Sequence, residues 1–233
     1  MTIKKTFESS LLELATNRDI KQVFYDFLEI TVSVFTANSS FGKTLEAYSR
    51  YTKIEVKEQF PAILYQLLEE MHSRDNDQKG NDVLGEFCEK YYYQEVDEKR
   101  ILSWKECEKA AMNAIPRDGL NFVKAPVELL DVGCRSGRIM MSAYKKYGSK
   151  LAFHGVEYDW VYILISTLNL YFSNVKSAEV LLIDQANENA FQSSFIISPL
   201  PMLIIRNEKA EYSKGYEVYK VYLRTKEILK KSN

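Results

Sequence analysis

The sequence predicts an α/β fold in two parts, an N-terminal helical bundle over residues 1–120 and a small parallel sheet over residues 121–233. Two observations carry this. Apolar residues recur at three- and four-residue steps through the first part, the period of an amphipathic helix. After Pro126, short apolar runs alternate with helix-like segments, the texture of β-α-β crossovers. The composition agrees: 233 residues with 46% hydrophobic and 27% charged side chains suit one or two packed domains, and 9 Gly and 5 Pro are too few for a disordered chain.

In the helical part the first stripe is Ile20, Val23, Phe24, Phe27, Thr31 and Val34. A second is Val56, Phe60, Ile63, Leu64, Leu67, Leu68 and Met71, running into the polar stretch 73–80. A third helix starts at Asn81 and Asp82, whose side chains can cap the amides ahead of Val83 and Leu84. A fourth starts at Ser103-Trp-Lys-Glu106, where hydroxyl and carboxylate can satisfy each other's backbone donors. Residues 1–125 carry 17 basic and 21 acidic groups, read as solvated helix faces.

The second part reads as strand 127–131, helix 139–147, strand 151–156, helix 160–172, strand 178–183 and strand 194–197. A C-terminal helix places Val218, Val221, Tyr222 and Ile228 together, in a basic tail of 8 cations against 4 acids from Arg206 onward. The parallel sheet is expected to need the helical part to cover its second face. The division falls near residues 116–126.

A formal charge of −1 offers no global field for nucleic acid or anionic lipid. Three cysteines with no CxxC, and only His72 and His154, argue against a disulfide framework and a metal site. His154 on a strand reads as a packed histidine. The N-terminal residues lack an apolar signal core and no apolar run reaches bilayer length, so a cytoplasmic protein with no membrane partner is expected.

The informative segment is Leu129-Leu-Asp-Val-Gly-Cys-Arg-Ser-Gly-Arg138. A first strand that ends in a small-residue turn and opens a helix brings backbone amides and the helix dipole toward a ligand. Glu157 closes the second strand, where a carboxylate can accept from both hydroxyls of a ribose, and Asp184 closes the third. A dinucleotide fingerprint fails because Arg135 and Arg138 stand where glycines are needed, and no P-loop occurs. What remains is the looser acid-x-Gly-x-x-x-Gly turn of S-adenosylmethionine (SAM) enzymes.

On these residues the chain resembles, over about residues 20–205, the adenine-N6 DNA methyltransferases allied to the modification subunits of type I restriction systems, including short forms on mobile elements. Phe24-Tyr-Asp-Phe-Leu28 resembles one of their helices, and Asp82-Val-Leu-Gly-Glu-Phe87 resembles their D-x-L-G-E signature. Leu130-Asp-Val-Gly-Cys-Arg-Ser-Gly137 lies where the family writes D-P-A-C-G-S-G. Gly155-Val-Glu157 and Thr167-Leu-Asn-Leu170 resemble its later segments. The resemblance implies a small, Rossmann-like SAM-methyltransferase sheet, short of its full set of strands. It implies that Asp131, Gly133, Ser136 and Gly137 surround the methionine part of SAM, that Glu157 holds the ribose and that Asp184 holds the adenine amine. Ser198 and Pro199, in Ser198-Pro-Leu-Pro201, would stand at the methyl-acceptor site. DNA is the implied substrate; docking of a protein partner by the helical domain belongs to the alternative reading below.

Three departures lead us to expect impaired or absent catalysis. Arg135 replaces the central glycine of the turn. No Thr-Pro precedes the core near Ile101–Trp104. Pro201 stands where an aromatic ring would stack a flipped base. The alternative is a non-catalytic interaction module of a DNA-modification or mobile-element system. Tyr48, Tyr51, Tyr91, Tyr92 and Tyr93 are candidates to touch nucleic acid, although their helical spacing suits packing better.

Overall fold

The structure is a computed structural model that describes residues 5–37, 41–74, 80–93, 102–115, 120, 125–199 and 202–231. It is mixed α/β, and contacts divide it into two compact units. One contains Met1–Phe35 and Ser39–Glu106, and the other contains Thr36–Asn38 and Cys107–Asn233.

In the first unit, α1 (Phe7–Leu14) opens with a reciprocal cap between Thr6 and Ser9. Helix α2 (Ile20–Phe35) buries Val23, Phe24, Phe27 and Leu28, while Val34, expected on that face, is exposed. Helix α3 (Phe41–Ser49) follows. A π-helical turn at Glu55–Gln59 leads into α4 (Phe60–Arg74), which buries Phe60, Ile63, Leu67 and Met71. Asp82 caps α5 (Val83–Phe87) through the Gly85 amide at 2.8 Å. The Ser103–Glu106 cap forms ahead of α6 (Trp104–Ala114), which passes into the second unit at Cys107, and there Glu106 Oε2 accepts from the Ser103 amide at 2.9 Å. Buried Asp26 accepts from Gln22, Arg50 and Tyr51, tying α2 to the chain beyond α3. Tyr51 therefore belongs to the core. Tyr91 packs on Phe87 and Tyr92 on Phe24, so these rings pack within the unit.

The second unit is built on β1 (Val127–Val132), β2 (Leu151–Glu157), β3 (Ala178–Asp184), β4 (Asn187–Pro199) and β5 (Met202–Asn207), in the order β1-β2-β3-β4-β5. The first three are parallel, joined through α7 (Arg138–Tyr147) and α8 (Trp160–Phe172). Two crossovers of one hand stepping in one direction put both helices on one face. There Phe153 and Gly155 meet Tyr144, Cys134 and Met140. On the other face, α9 (Lys214–Lys231) seats Tyr219 and Leu223 on Val156, Leu181 and Ile183.

Several expectations change here. The strand expected at 194–197 is part of a long β4 that returns antiparallel to β3, and β5 pairs antiparallel with it. The strand order never reverses among the described residues, so the reversal that makes the ligand crevice of a doubly wound sheet is missing from them. Helix α9 buries Gly215, Tyr219 and Leu223, whereas Val221 and Ile228 are exposed. Both faces of the parallel strands β1–β3 are covered by helices of the same unit, α7 and α8 on one and α9 on the other. No helix among the described residues is long and apolar enough to cross a membrane.

Candidate functional site

The C-terminal ends of β1, β2 and β3 bring Asp131, Gly133, Ser136, Gly137 and Glu157 to one end of the sheet, with Asp184 at the end of β3. Side chains alternate along a strand. Leu130 and Val132 face α9, so Asp131 points to the α7/α8 side. Gly133 and Gly137 hold φ of +77° and +82°, the left-handed conformation glycine adopts without a Cβ clash. A Cβ at Gly133 would meet nothing within 4 Å, so the turn is open there.

The amides of this turn are directed inward. Gly133 and Cys134 both donate to the Val156 carbonyl, at 2.8 and 3.1 Å, and Gly137 donates to the Cys134 carbonyl at 2.8 Å. The Arg135 amide donates to Glu157 Oε2 at 2.8 Å. A phosphate cradle needs such amides free. This turn instead presents carboxylate, which suits a cation or a hydroxyl.

Glu157 is buried, and its other oxygen accepts from the Tyr158 amide at 2.8 Å and the Asp159 amide at 3.3 Å. It latches the β1–α7 turn to the start of α8. Burial raises its pKa against the pull of these amides. Asp131 lacks such support: its Oδ2 is out of water with no hydrogen-bond partner among the described residues. Burial, with the Glu157 charge second, pushes its carboxyl up to about 6. The buried Cys134 thiol is also pushed up, first by desolvation and then by the two carboxylates, so it is not a reactive nucleophile.

Cys134 and Met140 fill the space over β2: a Cβ on Gly155 would lie 2.8 Å from Met140 Cε and 2.9 Å from Cys134 Sγ. Asn169 supports the turn by donating from Nδ2 to the Ser136 carbonyl at 2.9 Å. Its supporting role was not read from the sequence, yet Ser166, Thr167 and Asn169 are polar and buried in an otherwise apolar α8. Asp159, also missed, caps α8 through the Val161 amide at 2.7 Å.

Of the remaining predicted residues, Asp184 lies at this end but is engaged in a turn, and Ser198 and Pro199 lie at the other end. Asp184 spends Oδ1 on the Ala186 amide at 2.8 Å, closing the tight turn into β4. Ser198 pairs with Leu203 one step beyond the Ala178–Ile197 pair, which is the opposite end of the sheet. At the usual rise per residue, Ser198 is about 20 Å from Asp184. The physical reason is strand direction: an antiparallel β4 carries its C-terminal end away from the C-terminal ends of β1–β3. Ser198 and Pro199 therefore do not share a site with Asp131 and Glu157. The Pro199 side chain, Leu200 and Pro201 lie outside the described residues, as do Ile101, Pro116 and Gly119. Among the described residues no cluster of His, Cys, Asp and Glu is arranged to hold a metal.

Set against family models, curated proteins and solved structures, the chain finds no match in any of the three.

Proposed function

We propose that the chain is an offshoot of the adenine-N6 DNA methyltransferases that binds an adenosyl ligand of the SAM class at the β1–α7 turn without itself transferring a methyl group to DNA. The Rossmann-like part of this reading is β1-α7-β2-α8-β3 alone. Asp131 carries it. A buried carboxylate oxygen without a partner is costly, and the ammonium at the amino-acid end of such a ligand would supply the missing charge-assisted hydrogen bond. The open space at Gly133 is where that group would enter. The distant position of Ser198 supports binding without transfer.

A second reading, a non-catalytic interaction module of a DNA-modification system, is favoured by Glu157. Its carboxylate is already occupied by three backbone amides, so the turn holds itself together without a ribose.

Titration calorimetry separates the two. The ligand's ammonium stays charged between pH 5 and 7, whereas Asp131 ionises only above about 6. Affinity for SAM and for S-adenosylhomocysteine should therefore rise as pH increases through 6. It should fall about tenfold in Asp131→Asn, the usual cost of losing a hydrogen bond to a charged group. Absence of binding at pH 5 and at pH 7 would leave the interaction module standing. With labelled SAM and DNA no N6-methyladenine is expected. Label in DNA that disappears in Ser198→Ala would restore the transferase.

A further inference from the structure

Helix α9 carries two apolar faces, and the sheet covers one of them. Gly215, Tyr219 and Leu223, one turn apart, are buried. Away from them Val221, Ile228 and Leu229 are 61%, 65% and 61% exposed. Tyr222 is 38% exposed at the border of the two faces, its ring stacked on Tyr219. At roughly 3.6 residues per turn, Val221, Thr225, Ile228 and Leu229 fall on one stripe. From Arg224 to Lys231 every residue except the half-buried Lys226 is exposed, so the stripe faces water.

The stripe is edged with cations. Arg224 and Lys231 run along one side of it, and Lys226 and Lys230 along the other. The helix holds two acids, Glu217 and Glu227. Lys220 binds Glu217 at 2.6 Å, and Glu227 falls on the opposite side of the helix from the stripe. Lys226 is paired with Glu188 at 3.3 Å, whereas Arg224, Lys230 and Lys231 make no ion pair among the described residues. A chain-wide charge of −1 thus hides a local cationic excess beside apolar surface.

The pairing of these two features narrows the partner. The phosphates of a duplex would use the cations and gain nothing from Val221 and Leu229. A second copy would set one net-positive helix against another. The stripe also spans only about two and a half turns, short of the three or more heptads of a helix–helix seam. An anionic bilayer surface matches both features. Apolar side chains enter the boundary between headgroups and acyl chains, and long cationic stems reach back up to the phosphates. Tyr222 suits that boundary, with an apolar ring and a polar tip. Helix α9 is not apolar enough to cross the bilayer and would lie along its surface.

We propose that α9 is a peripheral membrane-binding helix, whose stripe from Val221 to Leu229 inserts into a bilayer surface carrying anionic phospholipid while Arg224, Lys230 and Lys231 contact the phosphates.

The full chain is sedimented with vesicles of phosphatidylcholine alone and of phosphatidylcholine with one-third phosphatidylserine. Binding is expected to the second only, and it should fall steeply as salt rises. Arg224→Ala should weaken it about fivefold, the contribution of one cation near an anionic surface. Val221→Ser together with Leu229→Ser should weaken it about tenfold with little change in Tm, because both side chains already stand in water. No sedimentation with either vesicle, or equal sedimentation with both, overturns the proposal. So does a double variant that binds as the parent does, since the cations alone would then hold any polyanion. Self-association of the parent that is lost in the double variant also overturns it, by making the stripe a helix–helix interface.

Discussion

Arg135 holds φ of +48°, a left-handed backbone that costs a residue with a Cβ about 1 kcal/mol or more relative to glycine. The conformation persists because the Arg135 amide must point at Glu157 Oε2, where it closes the latch between turn and β2. Arg135→Gly keeps the amide and removes the clash. It should raise stability by about 1 kcal/mol, less the greater unfolded-state freedom of glycine. Denaturant unfolding measures this, and a variant less stable than the parent would mean that the arginine side chain, not the backbone, holds the turn. The sequence made the turn and its acids visible through residue type and spacing alone. It could not show that the Arg135 amide meets Glu157, because that geometry goes with a positive φ on a residue whose type gives no hint of it.

At the scale of elements, Glu179 shows how β4 and α9 are joined to the parallel strands. It is buried in β3. Its Oε1 accepts from Ser194 of β4 at 2.6 Å and from Ser213 ahead of α9 at 2.7 Å, and its Oε2 accepts from the Gly215 amide at 2.7 Å. Glu179→Leu strands three donors and should cost about 3 kcal/mol, with faster amide exchange in the first turn of α9. Unchanged exchange there would mean that Tyr219 and Leu223 seat the helix by themselves. The antiparallel return of β4 was partly legible. Only ten residues separate Ile183 from Ser194, fewer than the dozen or more a parallel crossover needs. Local strand propensity reads a strand in either direction, and the polar run Asn187-Glu-Asn189 hid the start of β4. The helices of the first unit were more legible because caps such as Asp82 and Ser103 are local chemistry. The exposure of Val34 and Val221 was not, since it depends on what each helix packs against.

For the whole molecule the question is whether the sheet unit folds alone. Its parallel strands are shielded by α7 and α8 on one face and α9 on the other, and residues 102–231 include all of these together with the capped α6. What such a fragment lacks is the short stretch at Thr36–Ala37, which bridges to Ile204 and donates the Ala37 amide to its carbonyl at 2.9 Å. Losing it bares the outer edge of β5, a template for pairing with another chain. The cluster that seats α9, with Tyr219, Val156, Leu181 and Ile183, lies over β2 and β3, while Ile204 at that edge stays buried against the rest of the unit. Residues 102–231 should therefore melt in one cooperative transition at low concentration and associate reversibly as concentration rises. Adding a peptide of residues 30–40 should suppress that association by capping the edge. Near-UV circular dichroism checks the first point and sedimentation the second. A fragment with helical far-UV signal but no near-UV signal and no cooperative melt would be a molten globule. That result would show that covering both faces of this sheet with its own helices is not enough to fix its packing.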